Sequence, residues 1–268
     1  ALIERGMLDE TGLQASSGGR RPETLLLSSA MGVLAAIDLG ASSVDVALLA
    51  PDLTILAHHA EALEVSEGPG IVLSRIQDIL RDLRKRCNIR SEQVIGIGMG
   101  VPGPVEFGSG LLVAPPIMPG WEGFSIREYL REEYRAPCFI DNDVNVMAMG
   151  ELWRLHRKLP NFIVLKIGTG IGCGIVCNGM IYRGTNGSAG DVGHICVDPA
   201  GERCHCGNQG CVEVMAAGPA IARMGAEAAN AGKSPLLAQI LDTNRVITPE
   251  DVGQASRAGD VASNAIIK

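Results

Sequence analysis

The chain has 268 residues, including 34 glycines and 8 cysteines, with 3% aromatic residues and a formal net charge of −7. A hydrophobic content of 46% beside 20% charged residues excludes an intrinsically disordered chain, and the negative charge argues against a nucleic-acid footprint over the whole surface. No apolar stretch approaches the roughly 20 residues of a membrane-spanning helix, which excludes an integral membrane protein of that kind.

Residues 1–29 differ in composition from the rest of the chain. Short apolar runs on both sides of residues 16–22, SSGGRRP, are typical of a β-hairpin with a flexible basic tip. A frayed, solvated terminus is the alternative, and composition favours neither. Because the chain opens without Met or a secretory signal, we expect it to be a piece of a longer, cytoplasmic protein.

From residue 33 the hydrophobic pattern becomes regular. It predicts strands at 33–37, 44–49, 54–60 and 94–99, and an amphipathic helix at 71–87 whose apolar face carries Val72, Ile76, Ile79, Leu80 and Leu83. Later, strands predicted at 162–167, 175–177 and 180–182 repeat the order strand, glycine turn, strand, short turn, strand. The repeat predicts two lobes, each with a glycine turn whose backbone N–H groups are suited to holding phosphate.

Two segments place polar groups or rigid backbone directly after predicted strands. In residues 139–145, FIDNDVN, a strand ends and a helix begins, so Asp141 or Asp143 can simply cap that helix. A carboxylate there can also accept a hydroxyl proton while Asn142 binds further hydroxyls, which suits a polyol ligand. Residues 100–104, GVPGP, form a rigid loop that is either a ligand loop or an ordinary connection.

Three of the eight cysteines form a tight cluster preceded by a histidine. The predicted metal ligands are His194, Cys204, Cys206 and Cys211. One imidazole and three thiolates are the donors of a closed, structural Zn²⁺ site. His205 is a competing ligand, but alternation along the chain is expected to point it away. The five remaining cysteines lie in apolar stretches and are predicted to be core residues: Cys87, Cys138, Cys173, Cys177 and Cys196.

These motifs together resemble the ROK family of sugar kinases and sugar-responsive transcriptional repressors. The matching segments are DLGAS at 38–42, GVPG at 100–103, DND at 141–143, GTGIG at 168–172, GDVGH at 190–194 and CHCGNQGCVE at 204–213. The last of these is the most specific signature of the family. The resemblance implies an α/β, two-lobed actin-like ATPase fold of the ribonuclease-H-like kind, with lobes at 30–140 and 141–268, the second of them shortened.

The resemblance also implies a set of binding residues. Family members bind a hexose through residues that match Gly103, Asn142, Asp143, Asp191, His194 and Glu213. In the kinases the residue matching Asp143 is the general base, the glycine turns hold ATP phosphates, and Mg²⁺ offsets developing charge. The positions implied for nucleotide are Asp38, Gly40, Ser42, Gly168, Thr169 and Gly170. Zinc would hold Asp191 and Glu213 on one rigid platform.

Residues 1–29 and Ala41 favour the repressor branch of the resemblance, and Asp191 is a further departure from the family pattern. Residues 1–29 resemble the wing and return strand of a winged helix-turn-helix domain, with Arg20 and Arg21 placed to contact DNA. Ala41 stands where the kinases carry glycine, which adds a methyl group where a phosphate would approach. Asp191 replaces the usual glutamate and shortens a sugar-contacting carboxylate.

The sequence therefore predicts a ROK-type transcriptional regulator, a repressor, that senses a sugar or sugar phosphate. Its expected partners are operator DNA and further copies of the chain in a homodimer or tetramer, with no membrane contact. An ATP-dependent hexose kinase of the glucokinase kind is the alternative, and a purely structural zinc module is the third hypothesis.

Overall fold

The computed structural model describes residues 1–13, 23–155, 157–243 and 245–268. The chain forms two compact units, Ala1–Val146 and Met147–Lys268. Arg20 and Arg21, predicted to contact DNA, lie outside the described residues. Within the described ranges, no helix is both long enough and apolar enough to cross a membrane.

The first unit is built on a five-stranded sheet. The strands of the whole unit, including two separate two-stranded ribbons, are β1 (Leu8–Leu13), β2 (Glu23–Leu27), β3 (Val33–Leu39), β4 (Ser43–Leu49), β5 (Ile55–Ala62), β6 (Val94–Val101), β7 (Val105–Glu106), β8 (Leu111–Leu112) and β9 (Cys138–Asn142). Its helices are α1 (Pro69–Arg86), α2 (Ile126–Tyr134) and α3 (Asp143–Arg154), which continues into the second unit. The main sheet has the order β5-β4-β3-β6-β9, with β6 and β9 parallel to β3 and the other pairs antiparallel.

Burial of alternate residues explains this sheet and the helix that packs against it. Along β3 and β4 every second residue is buried, which is the period of a strand with one face in the core. Helix α1 begins with Pro69, whose missing N–H costs nothing at a first helical position. The apolar face predicted for this helix is buried in the core of the unit. The predicted strands and the helix of this region are therefore confirmed.

The N-terminal residues form a two-stranded antiparallel ribbon. Leu8 pairs with Leu27 and Leu13 with Glu23, with an irregularity between Glu10 and Leu13. The hairpin predicted for this segment is thus confirmed in its strands, in preference to a frayed terminus. Its basic tip lies outside the described residues.

The second unit repeats the antiparallel part of the first. Its strands are β10 (Phe162–Ile167), β11 (Ile171–Cys177) and β12 (Met180–Ile181), and its helices are α4 (Val212–Ala216), α5 (Gly218–Asn230), α6 (Pro235–Asp242), α7 (Pro249–Arg257) and α8 (Val261–Ile267). The sheet has the order β10-β11-β12, all antiparallel, as β3, β4 and β5 are. The predicted internal repeat is confirmed at this level. Helices α5 to α7 enclose a small apolar core.

Candidate functional site

The carboxyl ends of the parallel strands bring distant residues to one edge of the first sheet. Asp38 on β3 is in register with Gly100 on β6, and Gly100 is in register with Asp141 on β9. A Cβ atom at Gly100 would lie 3.3 Å from Asp38 Oδ1 and 3.3 Å from Asp143 Cα. The absence of a side chain at Gly100 therefore lets the Asp38 carboxylate approach the first turn of α3.

Asn142 connects this edge to the GVPGP loop. Its side-chain oxygen accepts hydrogen bonds from the N–H groups of Val144 (3.0 Å) and Asn145 (3.3 Å), so Asn142 caps α3. Its side-chain nitrogen donates to the carbonyl oxygen of Gly103 at 3.2 Å. The sequence allowed Asp141 or Asp143 as the cap of α3, whereas in the structure Asn142 accepts two N–H groups of its first turn, and Gly103 and Asn142 are brought together.

The two aspartates beside Asn142 have different surroundings. Asp141 is 4% exposed and accepts hydrogen bonds from the Asn142 N–H (2.8 Å) and from Nδ2 of Asn145 (3.1 Å). Asp143 is half-buried at the first position of α3, and its Oδ1 accepts the N–H of Val144 at 2.9 Å. Asp143 is therefore the more accessible carboxylate of the pair and the better placed to meet a ligand hydroxyl.

Asn145 was included in this polar segment of the sequence but was given no specific role. Asn145 is 2% exposed, and its Nδ2 holds the Asp141 carboxylate. The signal available in the sequence is its position four residues after Asp141, although these two residues face each other across the start of α3 only once the helix has formed.

The first glycine turn, which joins β3 to β4, is tied into the sheet by its own backbone. The Gly40 N–H donates to the Ser43 carbonyl oxygen at 2.8 Å, and the Ala41 carbonyl oxygen accepts the N–H of Val65 at 3.0 Å. The Ser42 carbonyl oxygen likewise accepts an N–H from the chain after β5. The three positions predicted here for nucleotide, Asp38, Gly40 and Ser42, are thus part of one ordered sheet edge.

The second glycine turn, which joins β10 to β11, is closed in the same way. The Gly168 N–H donates to the Gly170 carbonyl oxygen at 2.9 Å, and the Gly168 carbonyl oxygen accepts the N–H of Gly218, the first residue of α5, at 2.8 Å. Thr169 is exposed at the tip. In both turns the N–H of the first glycine therefore donates a hydrogen bond within the turn, to Ser43 in the first and to Gly170 in the second.

Glu213 lies against this second turn. Its Oε2 accepts the N–H of Ile171 at 2.9 Å, and a Cβ atom at Gly170 would lie 2.6 Å from the same oxygen. Glycine at position 170 is therefore what allows the carboxylate to reach the backbone of the turn. This contact was not predicted from the sequence, because its two partners are separated by more than forty residues.

The predicted metal ligands are brought together in the second unit. The donor atoms of His194, Cys204, Cys206 and Cys211 all lie within 4.8 Å of one another. The Cys206 and Cys211 sulfur atoms are 3.7 Å apart, and His194 Nδ1 is 3.5 Å from the Cys204 sulfur. Two thiolates bound to one tetrahedral Zn²⁺ at about 2.3 Å have sulfur atoms about 3.8 Å apart. The donor set and its spacing are therefore consistent with zinc.

Tight turns hold the cysteines in this geometry. The Cys204 N–H donates to the Asn208 carbonyl oxygen at 2.8 Å, and the Gly207 N–H donates to the Cys204 carbonyl oxygen at 3.0 Å. Gly207 and Gly210 have positive φ angles, and a Cβ atom at Gly210 would overlap the carbonyl group of Asp198. His205 is exposed and lies outside the donor set, as alternation predicts.

The second ring nitrogen of His194 faces a carboxylate. His194 Nε2 lies 3.7 Å from Asp191 Oδ1, while Nδ1 faces the Cys204 sulfur. A carboxylate on the far nitrogen commonly orients a metal-bound histidine. Asp191 thus lies beside the cluster of candidate metal ligands, and Glu213 follows Cys211 of that cluster by two residues.

Without a bound cation, the Cys204 and Cys211 thiols are harder to deprotonate than a free cysteine. Burial raises the pKa of the Cys211 thiol to about 12, and burial also raises the pKa of Cys204. Neighbouring thiols act in the same direction on Cys211. A bound divalent cation reverses this preference, because it stabilises coordinated thiolates.

The prediction that the other five cysteines are core residues is wrong for two of them. Cys138 and Cys173 are buried and Cys87 is partly buried, whereas Cys177 and Cys196 are exposed. Cys177 is the last residue of β11, and Cys196 lies on a short ribbon beside the metal centre, so neither has a layer packed over it.

Replacing Asn142 by alanine is expected to lower the free energy of unfolding of α3 by about 1–2 kcal/mol. The change removes the cap of α3 and the hydrogen bond to Gly103. Hydrogen exchange of residues 143–155 in increasing urea measures the loss. Ser125→Ala, which removes only the cap of α2, is the matched control; equal exchange in Asn142→Ala and wild type would contradict the assignment.

The fold and the two groups of polar residues define the class of protein. The chain has the α/β fold of actin-like proteins. A crystal structure described as a ROK family transcriptional regulator, homologue of the E. coli MLC protein, superposes with a TM-score of 0.79 at 25% identity. The superposition covers 99% of this chain and 66% of that chain.

The sequence model of the ROK family matches residues 34–267, and the chain belongs to the ROK family. It is 33% identical to a glucokinase of Halalkalibacterium halodurans over 86% of this chain and 70% of that protein. It is 32% identical to the xylose repressor of Bacillus subtilis over 82% of this chain, but it spans only 57% of that protein. The family thus includes both kinases and repressors among the relatives of this chain.

Proposed function

We propose that the chain is the effector-binding part of a ROK transcriptional regulator, a repressor that responds to a sugar or sugar phosphate. The observation that carries the proposal is the ribbon of β1 and β2. This ribbon precedes the part of the chain that matches the ROK family, yet the superposition on the solved ROK regulator covers 99% of this chain.

The ribbon would be the wing of a winged helix-turn-helix domain. A two-stranded antiparallel ribbon with a basic tip is suited to contacting DNA phosphates or a groove. Arg20 and Arg21 would supply the positive charge at that tip. Operator DNA and a second copy of the chain, in a homodimer or tetramer, are the partners that this role requires.

Each unit carries groups suited to binding hydroxyls, at the positions that the family resemblance implies for a sugar. In the first unit these are Gly103, Asn142 and Asp143, and in the second they are Asp191, His194 and Glu213. Carboxylates accept hydrogen bonds from hydroxyls, and the imidazole N–H and the amide donate them. Because the Asn142 oxygen already caps α3, the second proton of its Nδ2 is the group left for a ligand.

Zinc would serve this site as a structural ion. His194, Cys204, Cys206 and Cys211 would hold it, with all four coordination positions taken by protein. The bound ion would stabilise the thiolate form of the cysteines and would hold together the two chain segments that contribute ligands. The residues it fixes are Asp191, which faces the His194 ring, and Glu213, which reaches the Ile171 N–H.

An ATP-dependent hexose kinase is the second candidate, favoured by the identity to a glucokinase. Asp143 would then accept the proton of the attacking hydroxyl, and Asp38 and the glycine turns would face ATP phosphates and Mg²⁺. Ala41 argues against this role, because its methyl group stands in the first turn where the resemblance places glycine.

Titration calorimetry with a panel of pentoses, hexoses and hexose phosphates, with and without ATP and Mg²⁺, distinguishes the candidates. We expect sugar binding without turnover, and a loss of affinity of about 10- to 100-fold in Asp143→Asn, because a hydrogen bond to a charged group is removed. Asp78→Asn, on the exposed face of α1, is the matched control.

Two results would contradict the proposal that the chain belongs to a transcriptional regulator. ATP-dependent phosphorylation of a sugar that Asp143→Asn abolishes would establish the kinase. A chain that holds zinc and binds no sugar in the panel would establish a structural module instead.

A further inference from the structure

Cys196 lies directly across a short antiparallel ribbon from Cys211. The two residues form an isolated β-bridge. The flanking hydrogen bonds run from the Val197 N–H to the Gly210 carbonyl at 2.8 Å and from the Val212 N–H to the Ile195 carbonyl at 3.0 Å. Because these bonds flank the bridge, Cys196 and Cys211 are a non-hydrogen-bonded pair, in which Cα atoms are about 4.5 Å apart and side chains are closest. That spacing lies within the range that a disulfide spans.

The two cysteines of this pair differ in exposure and in role. Cys196 is exposed and lies outside the metal donor set, whereas Cys211 is fully buried and belongs to it. A dissolved oxidant therefore meets Cys196 before it meets the ligand. The metal centre thus carries one accessible thiol opposite one of its own ligands, and the proposed function makes no use of it.

We propose that Cys196 and Cys211 form a reversible disulfide that expels Zn²⁺ when the chain meets a peroxide. The inference rests on the zinc site of the proposed function. The Cys196 thiolate attacks hydrogen peroxide and becomes a sulfenic acid, and hydroxide leaves. The Cys211 thiolate then attacks the sulfenic sulfur, the S–S bond forms, and a second hydroxide leaves. The two sulfur atoms lose two electrons in total, the peroxide is reduced to two waters after protonation, and a dithiol reverses the change.

Loss of Cys211 as a ligand removes the metal and loosens the residues it fixes. Only His194, Cys204 and Cys206 of the donor set remain, and a sulfur in a disulfide is no longer a thiolate ligand. Cys211 directly precedes α4, whose first turn carries the Glu213 that accepts the Ile171 N–H. Oxidation at Cys196 therefore acts on a residue proposed to bind the sugar.

The full chain loaded with Zn²⁺ and treated with hydrogen peroxide tests the proposal. A chromogenic chelator reports zinc release, and non-reducing peptide mapping by mass spectrometry identifies the disulfide. We expect a Cys196–Cys211 peptide, and release that is roughly tenfold slower in Cys196→Ser. Cys177→Ser, which removes another exposed thiol, is expected to match wild type. Zinc content before oxidation confirms that each variant is folded at the metal centre.

Two outcomes would overturn the disulfide. One is zinc release from Cys196→Ser at the wild-type rate, and the other is a mapped bond between Cys206 and Cys211, whose sulfur atoms are also close. A wild-type chain that takes up no Zn²⁺ would refute the zinc site, and mapping the same metal-free chain would still decide whether Cys196 pairs with Cys211. Failure of sugar binding alone leaves both readouts unaffected.

Discussion

Replacing Cys211 by serine is expected to abolish zinc binding and to destabilise the second unit. Where free zinc stands at about 1,000 times its Kd, the metal contributes about 4 kcal/mol to the free energy of unfolding, and the variant loses this. Cys211 is fully buried with its sulfur 3.7 Å from that of Cys206, so no outside donor can replace it, and a hydroxyl is a poor ligand for zinc.

Metal analysis of the purified variant and hydrogen exchange of residues 147–268 in increasing urea measure both effects. A chelator added to the wild type is expected to reproduce the destabilisation, and Cys177→Ser to leave zinc content and stability unchanged. One zinc per chain in Cys211→Ser, or a wild type whose exchange is unaffected by the chelator, would contradict a structural metal.

The clustering of the proposed metal ligands was predictable because their geometry is local. Cys204, Cys206 and Cys211 lie within eight positions of each other, and the glycines between them permit the turns that close the cluster. The orientation of His194 was not predictable. Which ring nitrogen faces the sulfur atoms depends on Asp191, and that contact exists only when the short helix Val192–His194 has formed.

Burial is harder to predict than strand position, because an apolar run does not say which face of the strand is covered. The strand β10 lies where the pattern placed it, but Ile163, Leu165 and Ile167 are at least half exposed. The alternate residues Phe162 and Val164 pack against a buried cluster of the same unit. Packing on each face of a sheet is decided by distant segments, so the sequence of one strand cannot determine it.

The polar residues at the end of β9 likewise depend both on their neighbours in sequence and on a loop that is distant in sequence. The strand-to-helix position of Asp141, Asn142 and Asp143 left helix capping and ligand binding open, and the family resemblance implied a sugar-binding role for Asn142 and Asp143. From the sequence, only Asp141 and Asp143 were considered as caps of α3, although Asn is an almost equally good capping residue. The choice of Asn142 is fixed by the Gly103 carbonyl oxygen, which lies on another loop.

Replacing Gly190 by alanine is expected to lower the free energy of unfolding of the second unit by about 3 kcal/mol or more. Gly190 has a φ angle of +95°, and a Cβ atom there would overlap the carbonyl group of Cys173 on β11. The Gly190 carbonyl oxygen accepts the Cys173 N–H at 2.8 Å, so the overlap is relieved only by breaking this contact. Strained backbone costs about 1–3 kcal/mol, and the forced displacement adds to it.

The displacement is expected to reach the proposed sugar and zinc ligands, because Gly190 directly precedes the segment Asp191–His194. We therefore expect zinc affinity, measured by competition with a chelator, to fall at least about tenfold, since a small displacement misplaces a ligand. Gly179→Ala separates the two causes: its φ angle of +72° imposes strain, but nothing lies within 4 Å of the added Cβ atom. A cost near 1 kcal/mol with unchanged zinc affinity there would assign the Gly190 effect to the contact with β11; equal effects in both variants would assign it to backbone strain alone.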